Sequence, residues 1–227
     1  GRGLHPGHGA AQPWRRCQQE PGLGRVCRPG PRTQERYLAL CRWHQLLHPT
    51  FKEGREEADT IRVRKTVLNM HKLGIDIDIR PHTQEIINNH PLKKKITMFQ
   101  GSSIDKDMIE RVKLFAKDYK RIMVFLDSNH THEHVLAELE AYAPCVSIGS
   151  YCMVGDTVIE DAPEGMVSKR PWGKGNSPKT AVWEYLEKLK QGNNIGMDNQ
   201  HLNFEIDHTI ENKIVLTGSP DGYLKRV

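Results

Sequence analysis

From about residue 71 onward the chain alternates short apolar runs with helix-length amphipathic stretches, and several of the runs end in an acid. The run TVLNMHKLGIDID (66–78) reads as a strand ending near Asp78, since Pro81 halts it. KITMFQ (95–100) alternates like a strand and enters the turn Gly101-Ser102-Ser103. RIMVFLD (121–127) and SYCMVGD (150–156) are apolar runs closed by an acid, the pattern of strands buried on both faces. Between them lie stretches with helical periodicity: 83–89 with Thr83 as its N-cap, 107–120, 134–142 and 180–191. Met108, Val112, Leu114, Phe115 and Tyr119 carry the period in the second of these. Alternation at this spacing predicts βαβ units and a mostly parallel α/β sheet. The ending FEIDHTIENKIVLTGSPDGYLKRV (204–227) reads as two strands about a turn at Glu211-Asn212, an antiparallel pair at one edge.

The first 70 residues have another texture. Residues 1–33 are rich in Gly, Pro, Arg and His without a sustained period, so they read as irregular. ERYLALCRWHQLL fits one amphipathic helix over 34–47, ended by His48-Pro49. The expected division is a basic head over 1–70 and a folded domain over 71–227. Charge follows it: the head holds 13 Lys and Arg against 6 Asp and Glu, the remainder 20 against 22. A nucleic-acid reader would carry its basic excess on the folded part, so nucleic acid is not the expected partner. No apolar run is long enough to span a bilayer, and no basic-then-apolar leader opens the chain. A cytoplasmic protein is expected, with self-association into a homo-oligomer left open. The five cysteines form no CxxC pair and are odd in number, which argues against a disulfide framework or a Cys-rich zinc site.

Ligands of open parallel sheets sit beyond the carboxyl ends of the strands. Acids fall at three such ends: Asp76 and Asp78, Asp127, and Asp156. Each alone is as readily a cap on the following helix; three on one rim are a site. The acid closing the second strand of a nucleotide-binding unit accepts hydrogen bonds from a ribose. Asp78 is preferred to Asp76 for that place because it stands where the strand must stop. Asp127 and Asp156, on neighbouring strands, can share one hard cation such as Mg2+, which would lower the pKa of a substrate hydroxyl.

Three histidines, His130, His132 and His134, follow Asp127 in the string DSNHTHEH. They read as a solvated helix start, as a zinc site of metallohydrolase kind, or as one general base with two bystanders. His130 is nearest to Asp127, and an imidazole suits proton removal at neutral pH. The glycines and prolines around Trp172 let 170–179 read either as a mobile cover over a substrate or as an ordinary surface loop.

Several long strings bear a resemblance to a known family. GIDIDIRPH (74–82), QGSSID (100–105), LDSNHTHEHVLAELEAYAP (126–144), GDTVIED (155–161), RPWGKGNSPKTAVWEYL (170–186) and 204–227 resemble the cephalosporin hydroxylase family. Despite its name that family is similar to methyltransferases and includes relatives of rhamnosyl O-methyltransferase. The resemblance implies a Rossmann-like methyltransferase sheet, S-adenosylmethionine and a divalent cation as cofactors, and methyl transfer to a hydroxyl of a saccharide or small molecule. The same strings are similar to catechol-type O-methyltransferases. There the pattern Glu-Ile-Asn-Pro falls on Asp78-Ile79-Arg80-Pro81, and the adenine-side Gly-Ala-Ser falls on Gly101-Ser102-Ser103. The metal-binding acid falls on Asp127, the catalytic lysine on His130, and the Asp-Asn metal pair on Asp156-Thr157, where threonine is the weaker ligand. One departure stands out: the Gly-rich turn that such enzymes carry after their first strand has no counterpart here, so the first βα unit reads as missing or replaced. Beside the enzyme, two readings therefore stay open: a non-catalytic binding relative that lost the turn, and a His-cluster metallohydrolase.

Overall fold

The computed structural model describes residues 37–41 and 70–227, apart from 164, 168 and 215. Its centre is a seven-stranded sheet in the order β3-β2-β1-β4-β5-β7-β6. Five strands run parallel: β1 (Tyr37–Cys41), β2 (His71–Asp76), β3 (Ile96–Gln100), β4 (Arg121–Leu126) and β5 (Tyr151–Val154). β7 (Tyr223–Arg226) lies antiparallel to both β5 and β6 (Phe204–Ile206). The expected mostly parallel sheet with an antiparallel C-terminal pair is the observed one.

The amino-terminal expectation needs correction. Residues 34–47 read as a helix, yet Tyr37–Cys41 form β1, bonded to β2 on one side and β4 on the other. Leu and Ala give that stretch a helical bias; a place between two parallel strands overrides it. A strand thus stands upstream of the 70/71 division, where the first βα unit reads as missing or replaced. The remainder of the expected helix, and whatever follows β1 up to residue 69, lie outside the described residues.

Among the described residues four helices connect the strands: α1 (Pro81–Asn89), α2 (Lys106–Ala116), α3 (His132–Tyr142) and α4 (Pro178–Gln191). α1 begins at Pro81, with Arg80 as its cap. Proline suits the first turn, where its missing N–H costs nothing, so Thr83 is a buried residue of that turn rather than the cap. In α2, Met108, Val112 and Ala116 recur every fourth residue and are buried. α4 opens with Pro178 behind a reciprocal cap, in which Ser177 Oγ accepts the Thr180 N–H and Thr180 Oγ1 accepts the Ser177 N–H. Leu73, Val124, Val154 and Leu224 of the sheet and Val112, Leu139 and Val182 of the helices are fully enclosed.

At the C-terminal edge, the turn expected at Glu211-Asn212 is instead a short helix, α5 (His208–Glu211). Asp207 caps it, accepting the Thr209 N–H at 3.0 Å and the Tyr151 hydroxyl at 2.7 Å. The β6–β7 connection consequently runs from 207 to 222. Strand order reverses between β1 and β4, and in open α/β sheets the crevice at such a reversal receives ligands.

Candidate active site

The register pairs Asp76 with Gln100 and Leu126 with Val154, so the segments after β2, β3, β4 and β5 emerge along one rim. Asp127 follows β4 directly, and the Gly155 N–H donates to the Leu126 carbonyl at 2.8 Å, binding the two strand ends together. A Cβ at Gly155 would stand 3.0 Å from Asp127 Oδ1, so the close approach of the two segments calls for glycine. Asp156 adopts a left-handed backbone (φ 53°), which aspartate tolerates better than most residues.

His130 lies just ahead of α3, and its Nε2 stands 3.2 Å from Asp127 Oδ1 and 3.2 Å from Asp156 Oδ2. The three ligand-capable atoms of Asp127, His130 and Asp156 fall within 4.8 Å of one another. The Asp127 and His130 side chains are only 10% and 13% exposed, whereas that of Asp156 is 50% exposed and opens the cluster to solvent. The Trp172 ring meets the His130 imidazole edge-on, with centroids 4.9 Å apart. Two carboxylates and an imidazole around one point are a donor set that suits a divalent cation.

The other expected ligand, Thr157, is fully buried, and its hydroxyl donates to the Pro220 carbonyl at 2.6 Å. It is no part of the cluster; it pins the segment after β5 to the 217–222 loop. The three histidines also part company. His132 faces α4, with Nδ1 2.8 Å from Thr180 Oγ1 and Nε2 2.9 Å from Glu184 Oε2. His134 Nε2 lies 3.1 Å from Ser103 Oγ. Only His130 joins the acids, so the geometry gives a His-cluster zinc site no footing.

Beside the acid cluster lies a cleft of about 400 Å3, lined by Asp76, Ile77, Gly101, Ser102 and Ser103 from the segments after β2 and β3, and by Ser128, Asn129, His134 and Trp172 from those after β4 and β5. Trp172 belongs to both places, since it lines the cleft and touches His130. The preference for Asp78 over Asp76 is not met. β2 ends at Asp76, which lines the cleft and accepts the Asp78 N–H at 3.1 Å. The Asp78 side chain is 70% exposed and faces Arg80 at 4.0 Å. Gly101, at φ 145°, donates its N–H to the Asp76 carbonyl, and a Cβ there would meet Met108 Cε at 2.9 Å. That Ser128, Asn129 and His134 line this cleft was not legible, because it depends on how the start of α3 packs beside β2 and β3. Gly155, placed next to a strand-end acid, was a signal that could have been used.

The segment carrying Trp172 is stapled to its surroundings. Gly173 and Asn176 exchange backbone hydrogen bonds, each 2.9 Å, and the His132 N–H donates to Asn176 Oδ1 at 2.9 Å. Glu160 accepts the Gly175 N–H and, at 2.7 Å, the Ser177 hydroxyl.

A family model described as Rhamnosyl O-methyltransferase/CmcI matches residues 60–227. The chain belongs to that family. Among curated relatives, the rhamnosyl O-methyltransferases of Mycobacterium tuberculosis (strain ATCC 25618 / H37Rv) and Mycobacterium bovis (strain BCG / Pasteur 1173P2) are each 30% identical to it over 132 residues. Those residues are 58% of this chain and 47% of the relative, so the chain spans about half the length of the relatives it matches. Among solved structures it is similar to the MycE methyltransferase from the mycinamycin biosynthetic pathway, in complex with Mg, SAH and mycinamycin VI. That match has a TM-score of 0.43 and 16% identity over 77% of this chain and 43% of the other. The aminoglycoside resistance methyltransferase NpmB1 matches with a TM-score of 0.44 and 12% identity over 80% of each chain. Among the described residues no helix is long and apolar enough to cross a membrane.

Proposed function

We propose that this chain is an S-adenosylmethionine-dependent, divalent-metal-assisted O-methyltransferase acting on a hydroxyl of a sugar or other small metabolite. One observation carries the reading: the Asp127–His130–Asp156 cluster stands beside a cleft that Asp76 and Gly101-Ser102-Ser103 help to line. A volume of about 400 Å3 is within the roughly 300–1,000 Å3 of ligand pockets. Family membership supports methyl transfer to a sugar hydroxyl.

Asp76 is the acid placed to accept the ribose hydroxyls, and Gly101-Ser102-Ser103 form the adenine side. Asp127 and Asp156 would hold a cation such as Mg2+. When bound, the ion supplies Lewis acidity toward a substrate hydroxyl and the adenosyl cofactor supplies an electrophilic methyl group. His130 takes the hydroxyl proton at Nε2, and the positive charge created there faces two carboxylates at 3.2 Å. Trp172 covers the imidazole and limits water beside it.

Calorimetry with S-adenosylhomocysteine, with and without Mg2+, tests the reading, followed by transfer of labelled methyl from S-adenosylmethionine to a panel of rhamnosides and other hydroxyl acceptors. Binding together with cation-dependent transfer is the expected result. No heat at millimolar ligand would leave the non-catalytic binding relative, the reading favoured by a sequence that lacks the Gly-rich turn.

A further inference from the structure

The stretch KRPWGKGNSPK (169–179) holds four cations and no acid, an excess that methyl transfer does not by itself call for. One cation is accounted for. Lys179 is buried and paired, with Nζ 2.6 Å from Asp161 and 3.4 Å from Asp221. Lys169, Arg170 and Lys174 are exposed, and none of them has a carboxylate partner among the described residues. The acids close by are engaged elsewhere: Asp127 and Asp156 face His130, and Glu160 takes the Gly175 N–H and the Ser177 hydroxyl. Like charges crowded on one short turn repel, and one sign of charge at the mouth of a site concentrates ligands of the other.

Of the three, Arg170 is the one whose place is fixed by contacts among the described residues. Its N–H donates to the Val167 carbonyl at 2.9 Å, and the carbonyl of Pro171 after it accepts the Asn176 amide at 2.8 Å. Its guanidinium carbon stands 5.4 Å from the centroid of the Trp172 ring, within cation–π reach. The same indole meets the His130 imidazole, with centroids 4.9 Å apart. A guanidinium is thus held one ring away from the base. Arginine on an aromatic face keeps a planar fork of N–H donors that matches a carboxylate or a phosphate bidentately. Arg170 is not among the residues that line the cofactor cleft, whereas the half-exposed Asp156 leaves the acid cluster open to an incoming acceptor.

We propose that Arg170 is a specificity-determining residue that grips an anionic group of the acceptor, a carboxylate or a phosphate, so that the hydroxyl to be methylated belongs to an acidic sugar or acidic small metabolite. This rests on the methyltransferase reading above. Lys169 and Lys174 add attraction that salt screens, while Arg170 supplies the directed contact. An acceptor anchored there by its acid presents its hydroxyl end to the acid cluster and His130, which sets its orientation for transfer.

The test is calorimetry of the full chain, saturated with S-adenosylhomocysteine and Mg2+, against methyl glucoside, methyl glucuronide and methyl glucoside 6-phosphate. At least one acidic sugar should bind roughly tenfold or more tighter than the neutral one, and the tighter of the two identifies the anion as carboxylate or phosphate. Arg170→Gln should bring that preference down to about twofold while S-adenosylhomocysteine affinity stays the same. Arg170→Lys should recover only part of it, because an ammonium is a point charge without the fork. Lys174→Gln removes the same charge from an exposed site and should change the preference by no more than about twofold. A wild-type chain that binds neither acidic sugar more tightly than the neutral one overturns the acidic acceptor. The wild-type preference in Arg170→Gln, an equal loss in Lys174→Gln, or a loss of S-adenosylhomocysteine affinity in Arg170→Gln overturns the assignment of Arg170. A wild-type chain that does not bind S-adenosylhomocysteine overturns the methyltransferase reading itself, and this inference with it.

Discussion

Asp127 and Asp156 were legible as a pair because an acid that ends an apolar run has one place to go, the carboxyl rim of the sheet. Their distance from His130 was not legible, since it depends on Gly155 letting the two segments touch. With two carboxylates as the hard donors, neither alone holds a cation well. Asp127→Asn and Asp156→Asn should each weaken Mn2+ or Mg2+ binding at least about tenfold by calorimetry. Asparagine also tolerates the left-handed backbone at 156, which keeps the fold out of the comparison. Wild-type titrations in either variant would remove the cation from this site. His130 answers a different question, because an imidazole 3.2 Å from both acids is placed to be a third ligand or a base. As the base, His130→Ala should lower turnover by about 10²–10⁴ while cation and cofactor affinities stay within a few fold. Loss of cation binding in that variant would make it a ligand instead. Asp76 and Thr157 show where residue-level reading stops. Whether a strand ends two residues earlier, or whether a hydroxyl is already committed to Pro220, is decided by packing and not by residue type.

At the scale of elements, the long periodic helices and acid-capped strands were readable within a few residues, since each helix buries one face and the strands bury alternate residues fully. Elements whose form is set by a partner were not. α5 exists because Asp207 both caps it and takes the Tyr151 hydroxyl, which lowers the Asp207 pKa to about 2 and raises that of Tyr151 to about 12. The 170–179 segment gives a second case. Its glycines and prolines read as a mobile cover or a plain surface loop, and the structure shows Trp172 against His130 on a turn fastened by Glu160 and Asn176. Glu160 is the fastening most open to test. Glu160→Ala removes the acceptor of both the Gly175 N–H and the Ser177 hydroxyl, and the latter belongs to the cap of α4. Hydrogen bonds to a partly buried charged group are worth about 1.5–3 kcal/mol at most, so a loss of roughly 1–2 kcal/mol is expected, a few degrees in Tm. With Trp172 released from its place over His130, kcat/KM should fall about tenfold and cleavage near residue 172 by protease should quicken. Unchanged proteolysis and turnover would show that the other contacts hold the turn without Glu160.

For the molecule as a whole, the consequential misreading was β1. A stretch of leucine, alanine and arginine has a helical bias, and nothing in its own composition tells that both its edges will be bonded to strands from much later in the chain. The strand order is what a sequence conceals, because each strand's neighbours come from distant segments. Here the strand order makes β1 the bridge between the β3-β2 half, which carries Asp76 and Gly101-Ser102-Ser103, and the β4-β5 half, which carries Asp127, His130 and Asp156. The cleft is therefore lined from both halves of a sheet that β1 joins, and the acid cluster belongs to one of them. A chain cut to 71–227, the division its composition invites, would leave β2 and β4 each with an unpaired edge in the middle of the sheet. A backbone hydrogen bond contributes about 1 kcal/mol net, and a domain is stable by only about 5–15 kcal/mol, so losing the ladders on both sides of β1 is comparable to the whole. The 71–227 fragment should show no cooperative thermal transition by circular dichroism and should aggregate on gel filtration, whereas a 35–227 fragment should retain the transition of the full chain. A cooperative 71–227 fragment that still binds S-adenosylhomocysteine would mean that β2 and β4 can close on each other, and that the two halves of the site do not depend on β1.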